Sequence, residues 1–130
     1  LDLHGNSTQF KCTSACGTPH SYDEFCRLLE VSKVPKCDYG GTIRPNTVLF
    51  DEWLDDNTYN KAYIAMMHAD LVIVIGTSLL VNPAAALIQC IKKECKLVII
   101  NKDRTPYDGR ATLLIKENCG EVLENLVKEL

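Results

Sequence analysis

Long hydrophobic runs and an excess of positive charge are both missing from this sequence of 130 residues. Apolar stretches such as Leu71–Ile75 and Leu97–Ile100 are far shorter than the roughly 18–20 residues that span a bilayer, so we expect no membrane partner. The formal net charge of −3 argues against direct binding of nucleic acid. With 46% hydrophobic residues and no internal repeat, the composition predicts one ordinary globular domain.

Two common phosphate-binding motifs are also absent, since the chain contains neither G-x-G-x-x-G nor a P-loop. Nor does it begin with methionine: Leu1 comes first, and no basic segment followed by an apolar one comes after it. We therefore expect either a processed chain or a piece of a longer protein.

Cysteine, in contrast, is plentiful, and its odd count of seven is a poor basis for a disulfide framework. Cys12, Cys16 and Cys37 lie in polar, turn-rich sequence, which favours structural zinc and a reducing, intracellular compartment, the cytoplasm. A fourth soft ligand is missing, because no second cysteine follows Cys37 in Cys37-Asp38-Tyr39-Gly40. The alternative is a decayed site held by packing. The candidates for the fourth ligand are Cys26, His20, Asp38 and a group outside the chain.

The first 57 residues have an irregular pattern. We expect a short strand at Leu1–Leu3, then two Cys-bearing loops separated by a helix over Tyr22–Glu30, and finally an extended segment. Ser21 and Glu24 form a capping-box pattern at the start of that helix.

From residue 58 onward, helical and strand patterns alternate regularly. Thr58 is expected to cap a helix, and Asn82 is expected to cap another that begins at Pro83. Continuous β-branched runs are typical of parallel strands that are covered on both faces. The fold class is therefore α/β, with part of a doubly wound parallel sheet. The expected strands are 71–75, 97–100 and 112–115, and the apolar face of a terminal helix is Val122, Leu123, Leu126, Val127 and Leu130.

Polar residues follow two of these strands, as Gly76-Thr77-Ser78 and Asn101-Lys102-Asp103. Ligands of open parallel sheets bind beyond the carboxyl ends of the strands, so the pattern predicts a nucleotide site there. The alternative is that these are ordinary turn residues. His4 lies at an expected strand end beside Gly5 and is a candidate general base, whereas His20 and His68 have weaker claims.

A series of motifs spread over nearly the whole chain resembles the sirtuin family in order and spacing. We interpret the chain as resembling the C-terminal portion of a sirtuin catalytic core. The motifs are Leu3-His4-Gly5-Asn6, the loop cysteines 12, 16 and 37, residues 42–52, Ala69-Asp70, residues 76–85 and Ile100-Asn101.

The resemblance implies NAD-dependent removal of acyl groups, acetyl above all, from protein lysine side chains. The products would be nicotinamide and O-acyl-ADP-ribose, and His4 resembles the histidine that deprotonates a ribose hydroxyl of NAD. A Rossmann-like NAD-binding portion would comprise residues 1–11 and 43–130, and a zinc-knuckle-like module residues 12–42.

The resemblance also implies roles for further residues. Those expected to contact NAD are Gly76, Thr77, Ser78, Asn101, Lys102, Asp103, Asn118 and Cys119. Those expected to line the acyl-lysine channel are Val48, Leu49, Phe50, Asp51 and Glu52 on one wall and Leu80, Val81 and Asn82 on the other. For the apolar members of both walls, the alternative is ordinary core packing.

Three departures from the family pattern are visible: the N-terminal half and the fourth cysteine are absent, and Asp51 stands where the family has glycine. We therefore expect the isolated chain to be inactive, and to expose apolar strand faces and so associate with itself. An NAD- or ADP-ribose-binding or scaffold module is the first alternative function. A zinc-knuckle interaction or nucleic-acid module is the second, against which the net charge and the lack of an aromatic and basic face argue.

Overall fold

The structure is a computed structural model that describes residues 1–14 and 16–129. The chain forms two compact units: the cysteine unit, residues 2–55, and the parallel-sheet unit, which comprises Leu1 and the chain from Asp56 onward. This division differs from the expected boundaries, because the two strands that flank the cysteines pair with each other. The domain boundaries of the whole protein stay a prediction.

The cysteine unit contains a three-stranded antiparallel sheet and one helix. Its elements are β1 (Gly5–Cys12), β2 (Pro19–His20), α1 (Tyr22–Val31) and β3 (Ile43–Thr47), and the strand order is β2-β1-β3. Phe10 and Cys12, two residues apart on β1, are both buried and therefore point to the same face. The Phe10 ring stacks on Phe25 of α1 at a centroid distance of 4.0 Å.

The structure confirms the predicted start of α1 and corrects the predicted first strand. Ser21 Oγ accepts a hydrogen bond from the Glu24 amide at 3.2 Å, as the capping pattern predicts. Residues 1–3, however, are not a strand: the Gly5 amide donates to the Asp2 carbonyl at 3.0 Å and closes a turn. The first strand begins only at Gly5 and runs through sequence that was expected to be a loop.

The parallel-sheet unit has the predicted alternation of strands and helices. Its sheet is parallel with the strand order β4-β5-β6, and an aliphatic core surrounds the fully buried Leu97 and Ile99. The predicted α/β fold with a small Cys-bearing module is thereby confirmed. The elements are α2 (Asp56–His68), β4 (Leu71–Ile75), a 3-10 helix (Ala84–Cys90), β5 (Lys96–Ile100), a second 3-10 helix (Asp108–Arg110), β6 (Leu113–Ile115) and α3 (Cys119–Lys128).

Two of the predicted helix caps are wrong. Thr58 lies inside α2, which already begins at Asp56. Asn82 does not cap the next helix: Pro83 occupies the cap position of a 3-10 helix, and this cap makes no side-chain hydrogen bond within the described part of the chain. Leu130, expected on the apolar face of the last helix, lies outside the described residues.

One face of the parallel sheet is uncovered. Val74 of β4 is 8% exposed, whereas Leu71 and Ile73 are each 52% exposed. The expectation that β4 is covered on both faces is therefore wrong for this chain, and the expectation that it exposes an apolar face is confirmed. Val127 on α3 is also exposed.

None of the described helices is long and apolar enough to cross a membrane.

Candidate functional site

His4 lies on a tight turn whose shape is fixed by its two polar neighbours. The carbonyl of Asp2 accepts from the Gly5 amide at 3.0 Å, and its carboxylate accepts from Asn6 Nδ2, also at 3.0 Å. Gly5 has φ +67°, and a side chain there would collide with the Asn46 carbonyl. The turn leaves His4 exposed. Asp2 and Asn6 are functional candidates that the sequence analysis missed, although their spacing of four residues around His4 was visible.

The structure brings His4 together with the first predicted wall of the acyl-lysine channel. The Val48 amide donates to the His4 carbonyl at 2.9 Å, directly after Thr47 pairs with Gly5. Val48 is half-buried, whereas Phe50 is 94% exposed. The core-packing alternative is therefore wrong for Phe50, which presents its ring to the surface.

Glu52 shapes that wall. Its carboxylate pairs with Arg44 Nη2 at 2.5 Å and accepts from the Leu49 amide at 3.0 Å, so it closes the turn over residues 49–52. The Arg44 guanidinium, and after it the Leu49 amide, lower the pKa of the Glu52 carboxyl. Glu52 is therefore ionised at neutral pH and has a positioning role in this structure.

Asp51 has a left-handed backbone conformation, with φ +67°. Glycine adopts this conformation freely, whereas an L-residue pays a steric cost between Cβ and the carbonyl oxygen. Backbone strain is therefore present at the position where Asp51 departs from the family pattern. The Asp51 carboxylate is exposed beside Phe50.

The predicted nucleotide-binding segments lie at neighbouring strand ends. The Gly76 amide donates to the Ile100 carbonyl at the end of β5, and the Asn101 amide donates to Ile115 at the end of β6, both at 3.0 Å. Gly76 has φ +60°, and a Cβ there would lie 3.3 Å from Cys119 Sγ. The fold thus brings three predicted NAD-contacting segments to one edge of the sheet, around Gly76, Asn101 and Cys119.

Leu79 is the most strained residue of the segment after β4. Its φ is +54°, which is rare for a bulky residue. Its amide donates to Thr77 Oγ1 at 3.3 Å, and its side chain packs against the buried core. Leu79 therefore fixes the backbone that carries Thr77 and Ser78. No pattern in the sequence indicated a positive φ at this position.

Several predicted NAD contacts also have structural roles. Asn101 is buried, and its Nδ2 donates to the Asp103 carbonyl at 3.0 Å, as the turn alternative predicts. Asn118 Oδ1 accepts from the Gly120 amide at 2.9 Å and caps α3. Lys102 lines an open cleft of about 630 Å³ together with Arg104, Asp108 and Lys116. Lys116 forms an ion pair with Asp108 at 2.6 Å in this cleft.

The second predicted wall of the acyl-lysine channel lies in the loop before the first 3-10 helix. Leu80 is 67% exposed and Val81 is 62% exposed, and Asn82 is also exposed. These side chains are not packed into the core, so the core-packing alternative is wrong for Val81.

The three predicted zinc ligands meet in the cysteine unit. Their sulfur atoms all lie within 4.8 Å of one another, with Cys12 and Cys37 separated by 3.2 Å and Cys16 and Cys37 by 3.8 Å. Hydrogen bonds from Ser14 and then Thr18 lower the pKa of the Cys16 thiol to about 6, which favours the thiolate that zinc requires. The donor set fits zinc.

None of the three side chains proposed for the fourth ligand joins this cluster within residues 1–14 and 16–129. His20 Nδ1 instead contacts Glu24 Oε1 at 2.8 Å, while its Nε2 is buried without a hydrogen-bond partner among the described residues. Cys26 and Asp38 are likewise outside the group. The alternatives from within this chain are therefore wrong for this structure.

Comparison with known proteins agrees with the geometry. The family model described as the Sir2 family matches residues 1–83. An NAD-dependent protein deacetylase of Staphylococcus aureus (strain Mu50) is 42% identical over 129 residues, which cover 98% of this chain and 51% of that protein. A second, from Clostridium acetobutylicum, is 41% identical over 127 residues, covering 97% and 50%.

Solved structures give the same result. The structure of Sir2 with a p53 peptide and NAD+ has a TM-score of 0.87 and 36% identity, and the match covers 98% of this chain and 53% of that one. Sir2Tm bound to a propionylated peptide also has a TM-score of 0.87 and 36% identity, with 98% and 54% covered. The chain belongs to the Sir2, or sirtuin, family, as its motifs predicted. It spans about half the length of the curated relatives it matches.

Proposed function

We propose that the protein containing this chain removes acyl groups from lysine side chains of proteins in an NAD-dependent reaction. Family membership supports the reaction class, because the matched relatives are named as NAD-dependent protein deacetylases. One observation in the structure carries the assignment: the exposed His4 is joined through its carbonyl to Val48, where the exposed apolar wall begins.

In this proposal His4 is the general base. Its ring stands on the turn held by Asp2 and Asn6, so it accepts a proton from a ribose hydroxyl without rearrangement of its own backbone. NAD, when bound, supplies the ribose carbon that receives the acyl oxygen and releases nicotinamide.

In the cysteine unit, Val48 and Phe50 offer apolar surface and are proposed to contact the neutral acyl-lysine stem. In the parallel-sheet unit, Leu80 and Val81 are exposed and are also proposed as acyl-lysine-binding residues. An extended acyl-lysine peptide is the proposed partner, because extended backbone with apolar pockets suits strand addition. The segments around Gly76, Asn101 and Cys119 are proposed to contact NAD at the edge of the parallel sheet.

The test is nicotinamide release by the full-length protein from NAD and an acetyl-lysine peptide. Replacing a general base typically lowers the rate by about 10²–10⁴-fold, and we expect a loss of this size for His4→Ala. His68→Ala, at the exposed end of α2, is the matched control and should leave the rate unchanged. Equal release by wild type and His4→Ala would contradict the proposal.

A second function, NAD or ADP-ribose binding without turnover, is favoured by one observation, the left-handed conformation of Asp51. A charged residue in that conformation changes the turn that lines the proposed channel. If the full-length protein binds ADP-ribose but releases no nicotinamide, and Asp51→Gly restores release, this second function is the correct one.

A further inference from the structure

A hydroxyl group lies among the three thiols of the cysteine unit. Ser14 Oγ is 2.9 Å from Cys12 Sγ and 3.2 Å from Cys16 Sγ. Cys37 Sγ completes the group at 3.2 Å from Cys12 and 3.8 Å from Cys16. Three sulfur atoms and one oxygen atom therefore form a single cluster, although the motif supplies only three cysteines.

These spacings suit four ligands of one tetrahedral metal ion. With Zn–S bonds of about 2.3 Å and Zn–O bonds of about 2.0 Å, neighbouring ligand atoms lie roughly 3.5–3.8 Å apart. The distance between Cys16 and Cys37 already has this value, and the shorter distances need to lengthen by only several tenths of an ångström.

The loop after Cys37 offers no side chain for the fourth position. Gly41 lies against the cluster, where a Cβ would collide with Cys12 Sγ and Ser14 Oγ. A Cβ at Gly40 would meet no atom of the described residues within 4 Å, so this position faces open space. The Thr18 side chain also hydrogen-bonds Cys16, but Ser14 Oγ lies within hydrogen-bond distance of two of the thiols, Cys12 and Cys16.

We propose that Ser14 replaces the missing fourth cysteine, so that its Oγ completes a three-thiolate, one-oxygen zinc site. The thiol protons still held by the three cysteines are released to solvent when the metal binds. Oxygen is a harder ligand than sulfur, so this site holds soft metal ions less tightly than a four-thiolate site would. The proposal concerns the metal site alone and does not depend on the proposed enzymatic function.

The test is titration of the reduced, metal-free, full-length protein with Co²⁺, followed by its visible absorption. We expect one Co²⁺ per cysteine cluster in the wild type. Ser14→Cys should add a fourth sulfur ligand, raise the sulfur-to-metal charge-transfer intensity by about a third and tighten binding, because thiolate replaces oxygen. Ser14→Ala should weaken binding by roughly 10–100-fold.

Two control variants distinguish a side chain that binds the metal from one that only lies near the cysteine cluster. Thr13→Ala removes the adjacent, exposed hydroxyl and should change neither affinity nor spectrum. His20→Gln tests the buried imidazole and should leave the spectrum unchanged. The proposal is overturned if the wild type binds no Co²⁺, if Ser14→Cys keeps the wild-type spectrum, if Ser14→Ala binds as tightly as wild type, or if His20→Gln alters the spectrum. If Ser14→Ala does not fold, Ser14→Cys still decides the question, because the proposal requires this variant to gain charge-transfer intensity and Co²⁺ affinity.

Discussion

The cysteine unit and the parallel-sheet unit bury different kinds of side chain. In the first, two of the four buried core residues are cysteines, Cys12 and Cys37, beside Phe10 and Ile43. In the second, the buried core cluster is entirely aliphatic: Val74, Ile88, Ile91, Leu97 and Ile99. Small units with few apolar residues typically depend on a metal, whereas hydrocarbon packing suffices in a larger core. We therefore expect the two units to be stabilised differently, the first by a bound metal ion and the second by hydrocarbon packing.

Removing the metal is the change with the largest expected effect. Zinc binding to small zinc-folded units has an apparent free energy of about 10–16 kcal/mol, so a strong chelator should unfold residues 2–55 and leave the parallel sheet intact. Hydrogen exchange of the reduced full-length protein measures this, as lost amide protection confined to the cysteine unit. Cys37→Ser should reproduce the loss, and Cys95→Ser, outside the cluster, should not. If the amide protection of both units survives without metal, the two units do not differ in their dependence on metal.

A cavity created in the aliphatic core tests whether hydrocarbon packing stabilises the parallel-sheet unit. Ile99 is fully buried, so Ile99→Ala should lower the free energy of unfolding of the parallel-sheet unit by about 2–5 kcal/mol. Chemical denaturation measures the loss, and metal analysis of the same sample should show unchanged zinc content. If zinc content falls together with stability, the two units are not stabilised independently.

Among the described residues, two non-glycine residues have a positive φ, one in each unit, and they should respond in opposite directions. Asp51→Gly should raise the free energy of unfolding by about 1 kcal/mol, because the Asp51 side chain is exposed and only backbone strain is lost. Leu79→Gly should lower it by about 1–2 kcal/mol, because the lost packing of Leu79 against the core exceeds the relief of strain. Thermal denaturation of the two variants gives both signs, and equal signs would contradict this account.

Matched helix caps give the smallest effects. Ser21 caps α1 in the cysteine unit, and Asn118 caps α3 in the parallel-sheet unit. Each replacement by alanine should cost about 1 kcal/mol in the metal-loaded protein. After metal removal, Ser21→Ala should have no further effect on amide exchange. Asn118→Ala should have the same effect on amide exchange with and without metal. An effect of Ser21→Ala that persists without metal would show that α1 folds independently of the cluster.

Features that depend on neighbouring residues were predictable from the sequence. The start of α1 follows from Ser21 and Glu24, three residues apart, and β4 and β5 follow from unbroken runs of branched apolar residues. β1 was missed because only Phe10 and Cys12 of its eight residues are buried, and its partner β3 lies about 30 residues further along the chain. The predicted caps were wrong by short distances: Thr58 lies two residues beyond the first residue of α2, and Asn82 lies one residue before the observed cap. Helix ends vary by about this much around the position that a local capping preference indicates.

The candidate site was predictable to a similar degree. The motif order identified the family and the three cysteines, and both proved correct. The contacts of the predicted NAD- and acyl-lysine-binding residues with ligands stay predictions. Ser14 was missed because a serine has no distinctive metal-binding spacing, and Leu79 because backbone strain leaves no pattern in side-chain types.

The sequence alone determined the α/β class, the metal-ligand chemistry and the family, because these depend on residue types at fixed spacings. Only the tertiary structure decided that His4 stands on a turn closed by Asp2 and Asn6, that Ser14 lies among the thiols, and that one face of β4 is uncovered. These features depend on which distant segments pack together, and packing is settled by the whole chain rather than by any short pattern within it.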